Sequence, residues 1–499
     1  MKKTLFTLAS LLLFWGCSTT EPVFFVNEDP GTFAEVGSID IGDVGAAEIS
    51  AYDPLTKRLF VVNNGTINKI DVVDFSNPAS LKVLNSITLT TYGGPVNSLA
   101  VSNGKLAAAI EAADKVSAGK VVIFNTADNK EEKIITVGSL PDMITYTPDG
   151  KFILTANEGE PNAAYTVDPA GTVSIISVEN NYAVTTLDFT PFVSQQSVLV
   201  LNGLRIFGPN ANIVNDMEPE YITVSDDSRT AWVTIQENNA LIKIDLNTQK
   251  ITDIFPLGFK NYNLPGNEID PSDRDNAINV RAAAAFGMYQ PDGIAILKDD
   301  DGSQYLFTAN EGDAREYTGF SEIRRASAVT LDPTAFPSAS MLRQDAQLGR
   351  LNITTTLGDT DGDRDYDALY SLGARSFSVW NTEGKLVFDS KSDLDRRCIA
   401  AGLYDDARSD DKGAEPEGIA IGKVGVKKVL FVGLERADAV AVYDVTNPKN
   451  PVFLQLLRCG DAPEGVLFIA AKDSPTQKSL LVVSSENDGV IKVYQPKTI

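Results

Sequence analysis

The chain has 499 residues, 43% of them hydrophobic and 22% charged, which is the composition of an ordinary folded protein. Its formal net charge of −24 argues against a binder of nucleic-acid backbones, which needs a basic face, and favours cations or basic partners. The absence of histidine excludes Ser-His-Asp and Cys-His catalysis and the usual His-bearing zinc sites, so any chemistry must run on carboxylates, Lys, Arg, Tyr and metal.

At the N-terminus, Lys2 and Lys3 precede an apolar stretch from Leu5 to Trp15 and then Gly16-Cys17. A basic start and a short apolar run predict an export signal over residues 1–16, since a spanning helix needs about 20 apolar residues. Gly16-Cys17 resembles a bacterial lipobox, although Phe14-Trp15 departs from the usual residues before it. On that reading Cys17 carries the lipid that holds the protein to a bacterial membrane, at the outer membrane or cell surface. The alternative is an ordinary signal peptide with an incidental Cys. Residues 17–32 carry Pro, Gly and acids with little periodicity and read as a tether. Phe33 to Gly42 alternates like a strand but has no hairpin partner of its own.

Beyond this strand the chain repeats one pattern: a Pro-acid pair, an apolar strand, a polar turn, and a second apolar strand ending on an acid. It is plainest at Pro463 to Glu486 and recurs at Pro141 to Glu158, Pro219 to Glu237, Pro291 to Glu311 and Pro416 to Glu435. Looser copies run from Glu48 to Asn64 and from Pro95 to Glu111. Two further strands follow most copies, as in KVVIFN with KEEKIITV, or AVAVYDV with PVFLQLL. Such units cannot bury their own apolar faces, so they predict an all-β, seven-bladed propeller of four-stranded antiparallel blades over residues 33–499. The last copy has only three strands, the third at Gly489 to Gln495, so the N-terminal strand is expected to complete it and close the ring.

Long additions fall at Val193 to Glu218, Phe259 to Gln290, Gly312 to Gly373 (inside blade five) and Lys391 to Glu415. All of them occupy second-to-third-strand loops or blade exits, which share one end of a propeller. That end is therefore elaborated and the other is bare.

Both acids of the pattern point to the elaborated end. Glu48, Asp142, Glu220, Asp292, Glu417 and Glu464 start inner strands; Glu111, Glu158, Glu237, Glu311, Glu435 and Glu486 end the second strands. Two concentric acidic rings are expected around the channel mouth. Neighbouring carboxylates about 6–8 Å apart repel by roughly 2–3 kcal/mol at an effective dielectric near 20, so the rings need hydrogen bonds, raised pKa values or bound cations. Oxygen ligands without His or Cys suit Ca²⁺ or Mg²⁺. The bland alternative is that each acid accepts backbone N–H bonds from the next blade as a latch. A second acidic signal, Asp359, Asp361, Asp363, Asp365 and Asp367 at alternate positions, is either a Ca²⁺ loop or a solvated turn; Arg364 and Tyr370 stand where an EF-hand requires Gly and Glu. Arg375, Arg408, Lys412 and Arg436 are candidate anion-binding groups, or else salt-bridge partners that neutralise the rings. After export, Cys398 and Cys459 either form a disulfide around blade six or remain separate buried thiols.

The stretches GDTDGDRDYDALYSLGARSFSVWNTEGKLVFDS, RSDDKGAEPEGIAIG, GLERADAVAVYDVTNP and APEGVLFIAAKDSPTQKSLLVVSSE resemble the choice-of-anchor I family, secreted and variously anchored bacterial propellers related to mesenchyme-specific cell surface glycoproteins. NSLAVSNGKLAAAIEA and LPDMITYTPDGKFILTANEGEP extend the likeness over most of the chain; GLERADAV departs from it where a Gly-rich run usually follows GLER. The resemblance implies a seven-bladed propeller at the cell surface without a settled activity. The expected function is a surface lipoprotein binding Ca²⁺ and an extracellular ligand or protein partner through its acidic face. The alternative is a Ca²⁺-dependent phosphoesterase, by analogy with propeller phytases and the phosphatase names of some members, acting on a phosphorylated small molecule.

Overall fold

Most copies of the repeat begin a four-stranded antiparallel sheet whose strands lie side by side in chain order. In blade one these are Ala46–Asp53, Arg58–Asn63, Lys69–Asp74 and Lys82–Thr88. The second and third strands are buried on both faces because each sheet is covered on either side by its neighbours, which explains runs as uniformly apolar as RLFVVN and LLVVSS. The outermost strand is half polar, as in KVLNSIT. The computed structural model describes residues 24–499, so the expected signal segment and Cys17 lie outside the described residues.

Seven such sheets occur among the described residues. Their inner strands touch in sequence, from Ala46–Asp53 through Val96–Ser102, Pro141–Tyr146, Pro219–Val224, Ile294–Lys298, Pro416–Val424 and Pro463–Ile469, and the last returns to the first. Apolar clusters fill the seams between successive blades: Phe60 and Val72 meet Leu99 and Val122, Trp232 meets Trp380, and Phe431 and Val440 meet Leu481. Among the described residues, cavities lined by the inner strands of several blades mark a central channel.

The N-terminal strand closes the ring as expected. Glu28–Asp40 pairs antiparallel with Val490–Thr498 and takes the outer place in the last blade. It begins at Glu28, within the expected tether, five residues before Phe33. Pro30-Gly31 falls where the pairing register shifts between Asp29 and Ala34, and this irregularity hides the strand's alternation. Glu28 is buried and accepts from the Ser479 N–H at 2.9 Å and hydroxyl at 2.6 Å. Glu28 pairs with Thr498, at the far end of a strand that starts beside the mouth, so the described chain enters the ring at the bare face.

The insertions do more than decorate the opposite face. Phe259–Asn261, Phe286–Met288 and Tyr370–Ser371 form a small mixed sheet from two separate insertions. Beneath it Tyr262, Ala285, Leu331, Phe336, Leu351 and Leu369 make a separate apolar core. Arg205 and Arg315 then tie the Val193–Glu218 segment to the large insertion. Arg205 pairs with Glu322 and donates to the Glu237 carbonyl at 2.7 Å; Arg315 pairs with Asp216 and, at 2.7 Å, with Glu218. The Phe207 ring lies 3.9 Å and 4.4 Å from the two guanidinium carbons.

Both cysteines are free, so the possible disulfide does not form. Cys398, on helix Asp393–Ala401, packs between blades five and six, whereas Cys459 packs against the seam of blades six and seven. Different apolar clusters hold them, and burial pushes both thiols up.

Candidate functional site

The Pro-acid pair has a recurring backbone shape. Leu140, Gln290, Glu415 and Ala462, each just before the Pro, hold positive φ between 41° and 55°. Strand pairing then slips immediately after the Pro, between Pro141 and Ile144, Pro219 and Ile222, Pro416 and Ile419, and Pro463 and Gly465. A bulge of this kind turns the side chain inside it away from the ladder, and that side chain is the acid. The second acid seals the corner with its backbone: the N–H of Glu158, Glu435 and Glu486 donates to the carbonyl of Leu140, Glu415 and Ala462 at 2.8, 2.9 and 3.0 Å. The pattern thus fixes the top of each hairpin through main-chain bonds and leaves both carboxylates over.

Those carboxylates gather at the mouth. A cavity of about 350 Å³ is lined by Asp142, Glu220, Asp292, Glu417 and Glu464 of the inner ring and by Glu311 and Glu435 of the outer. A second, also about 350 Å³, joins Glu48, Glu111, Asp142 and Glu158 to Lys115. Glu237 and Glu486 complete the outer ring, Glu237 against Glu158 and Glu220, and Glu486 beside Glu48. Blade two interrupts the inner ring with Asn97. Ile49, Met143 and Tyr221 line both the first mouth cavity and a further one of about 290 Å³ along the inner strands.

No backbone N–H from an adjoining blade donates to any of the twelve ring carboxylates among the described residues, Glu237 being reached only by its own N–H, so the latch arrangement is not formed by these side chains. Their few partners are side chains: Asn64 on Glu48 at 2.8 Å, Gln236 on Glu311 at 3.1 Å, Lys412 on Glu311 and Arg436 on Glu435 at 2.9 Å. Burial first, then mutual repulsion, pushes Glu48 up to about 8 and Asp142 and Glu435 up to about 7. The same causes hold Glu158, Glu220, Glu237, Asp292, Glu417 and Glu464 well above the usual carboxylate range. Such a mouth retains protons or takes cations.

Three of the four expected anion-binding cations converge on buried Glu415, Arg408 at 2.6 Å, Lys412 at 3.2 Å and Arg436 at 3.6 Å, while Arg375 stands apart. Arg375 is 1% exposed and donates to the carbonyls of Asp270, Ser409 and Asp411 at 3.0, 2.8 and 2.8 Å, pinning the insertions away from the channel. Arg408 is held by Asp411 and buried Glu415. Lys412 and Arg436 do line the mouth, but carboxylates occupy them. A phosphate group would find no uncommitted cation among these four.

The five alternating aspartates do not share one centre. Asp359, Asp361 and Asp363 form one exposed group, whereas Asp365 and Asp367 turn to Asp332. Their oxygens largely cap their own loop, with Gly362 N–H on Asp359 at 2.8 Å, Asp365 N–H on Asp363 at 3.0 Å and Thr360 N–H on Asp367 at 2.9 Å. Asp313 and Glu160, which line the two mouth cavities, escaped the sequence reading, and so did Glu218 and Glu415 just behind them; the last two share a signal. Both precede the Pro of a Glu-Pro-Glu triplet, a signal present only in blades four and six. Each is buried and spoken for, Glu218 by Arg315 and Glu415 by Arg408 and Lys412.

The chain is 24% identical over 356 residues to the mesenchyme-specific cell surface glycoprotein of Strongylocentrotus purpuratus, covering 60% of this chain and 45% of that protein. It is 26% identical over 188 residues to Gigasin-3a of Magallana gigas, covering 31% of this chain and 66% of that protein. The match therefore spans less than half of the first relative. Among solved structures, hydrazine synthase of Kuenenia stuttgartiensis aligns at a TM-score of 0.49 with 12% identity over 92% of this chain and 98% of that one. The Cps50 (Swd1) β-propeller domain of Myceliophteria thermophila aligns at 0.48 with 8% identity over 93% and 100%. The model of the choice-of-anchor I domain matches residues 48–448, and the chain belongs to that family.

Proposed function

We propose that this protein is a cell-surface propeller whose acidic channel mouth binds Ca²⁺ and, through the ion and the surrounding loops, an extracellular ligand or protein partner. The observation that carries this reading is the convergence of the ring carboxylates at one end of the channel, largely unpaired and with no backbone donor from an adjoining blade among the described residues. Their hard oxygen ligands favour Ca²⁺, which accepts an irregular shell of six to eight oxygens, over Mg²⁺, which demands a near-octahedral one. Attachment through Cys17 fits the same picture. A tether leading into the bare face presents the mouth away from the surface that holds it.

Ca²⁺ at a hundredfold excess over its Kd adds about 2.7 kcal/mol per site, roughly 3 °C in Tm for a chain of this length. Calcium should therefore raise the Tm by several degrees over NaCl of equal ionic strength, and chelator should reverse it. Equal shifts with Ca²⁺ and NaCl, together with no calorimetric binding, would show that the mouth is neutralised by protons and screening alone. For the anchor, Cys17→Ala should abolish palmitate labelling and release the protein from membranes. Labelling that persists in the variant would rule the lipobox out.

A further inference from the structure

Two groups of three ring carboxylates share the mouth, and they differ in what already neutralises them. One oxygen each of Glu158, Glu220 and Glu237 lies within 4.8 Å of the other two, and the same holds for Asp292, Glu311 and Glu417. Opposed ligands of one Ca²⁺ ion, each at ~2.4 Å, stand about 4.8 Å apart, so either group has the span of a single ion.

Lys412 separates them. Its ammonium reaches Glu311 and lies 3.2 Å from Glu415, and it is almost buried there. The second group therefore carries a fixed cation within it. The first group has no Lys or Arg within 4.0 Å, and apart from the backbone N–H of Glu237 itself no hydrogen-bond donor reaches its three carboxylates among the described residues. Arg315, the nearby guanidinium, is taken by Asp216 and Glu218. Glu237 is only 4% exposed, and its Oε2, like Oε2 of Glu220, is enclosed without any partner. Enclosed charged oxygens with nothing to accept from are among the costliest arrangements in a folded protein, and a divalent cation is the ligand that satisfies several of them at once.

We propose that Glu158, Glu220 and Glu237 form one Ca²⁺ site at the seam of blades three and four, and that Lys412 is the built-in counter-ion that closes the Asp292, Glu311 and Glu417 group to metal. This rests on the mouth being a cation-binding end and goes further, assigning which carboxylates hold the ion and why the second group holds none.

The test is calorimetric titration of CaCl₂ into the chelator-stripped full chain at pH 7.5. Glu237→Gln and Glu220→Gln should each weaken binding at the mouth at least tenfold, while Asp361→Asn leaves it unchanged. Lys412→Met should raise the stoichiometry by one. A purely structural role for Glu237 is separated by the metal-free melt: in chelator, Glu237→Gln should melt at or above the parent, because the neutral amide removes a group that repels Glu158 and Glu220 whenever it ionises, whereas loss of a structural acid lowers the melt. If Glu237→Gln binds Ca²⁺ as the parent does while Glu417→Gln does not, the site assignment is overturned and the wider reading stands. If a folded Lys412→Met gains no ion, the counter-ion role is overturned. Absence of any binding by the parent overturns both.

Discussion

Removing residues 1–42 should lower the Tm by about 10 °C, the largest loss expected from any short truncation of this chain. Glu28–Asp40 is the outer strand of the last blade, pairing with Val490–Thr498. Phe33, 4% exposed, meets the edge of Phe431 at 5.3 Å, and burying such a ring contributes about 2–3 kcal/mol. Val36, Ile39 and Ile41 pack on the seam of blades seven and one and add about 1 kcal/mol each at partial burial. The strand's main-chain bonds contribute about 0.5–1 kcal/mol each. The sum is close to 10 kcal/mol, and at about 2.1 cal/mol/K per residue a chain of this size loses roughly one degree per kcal/mol. Differential scanning calorimetry of the truncated protein reads it directly. Phe33→Ala should reproduce about 3–5 kcal/mol of the loss, since Phe-to-Ala changes in cores cost that much. A truncated ring melting within two or three degrees of the parent would mean that the closure is dispensable.

That strand was legible in the sequence for a topological reason: a three-stranded last copy leaves an edge, and Phe33 to Gly42 is a strand without a partner. Its true start was hidden because Pro30-Gly31 breaks the alternation on which strand reading depends. The blades were legible because each acid and each apolar run recurs at fixed offsets, and recurrence survives where single residues are ambiguous. The insertions offered no such redundancy. Their core draws Tyr262, Leu331 and Leu351 from segments far apart in the chain, and their sheet pairs three short strands, so neither period nor length announces them. The acidic site divides the same way. Ring positions follow from antiparallel geometry, but which cation serves which carboxylate depends on where Lys412 and Arg315 reach, and both lie in the irregular insertions. The split of the aspartate loop has a similar cause: alternate side chains converge only if the backbone curls about one point, and here each carboxylate caps its own turn instead.

Without divalent cations, stability should fall as pH rises from about 5 to about 8.5, the reverse of the usual acid-side loss. Burial and mutual repulsion raise Glu48 to about 8 and Asp142 and Glu435 to about 7, and hold six other ring acids well above their ordinary range. In the unfolded chain these groups titrate near pH 4 to 4.5. Between that value and the folded one the folded state binds more protons, so the slope of stability against pH is negative there. The contribution is complete below the unfolded pKa and is lost as pH passes through the folded pKa. Opposing groups such as Asp74 and Asp227, held low by hydrogen bonds, lose their contribution only below about pH 4, outside this window. The Tm in chelator at constant ionic strength should thus drop by several degrees between pH 5.5 and pH 8.5. Saturating Ca²⁺ should flatten the curve, because the ion replaces the protons the ring gives up, and calcium affinity should rise over the same interval for the same reason. Glu464→Gln, which removes a ring charge without touching the three carboxylates assigned to the ion, should shrink the drop and leave calcium affinity within about twofold. A metal-free Tm that is flat or rising over this interval would show that the ring carboxylates are ionised in the folded state and tolerated without compensation.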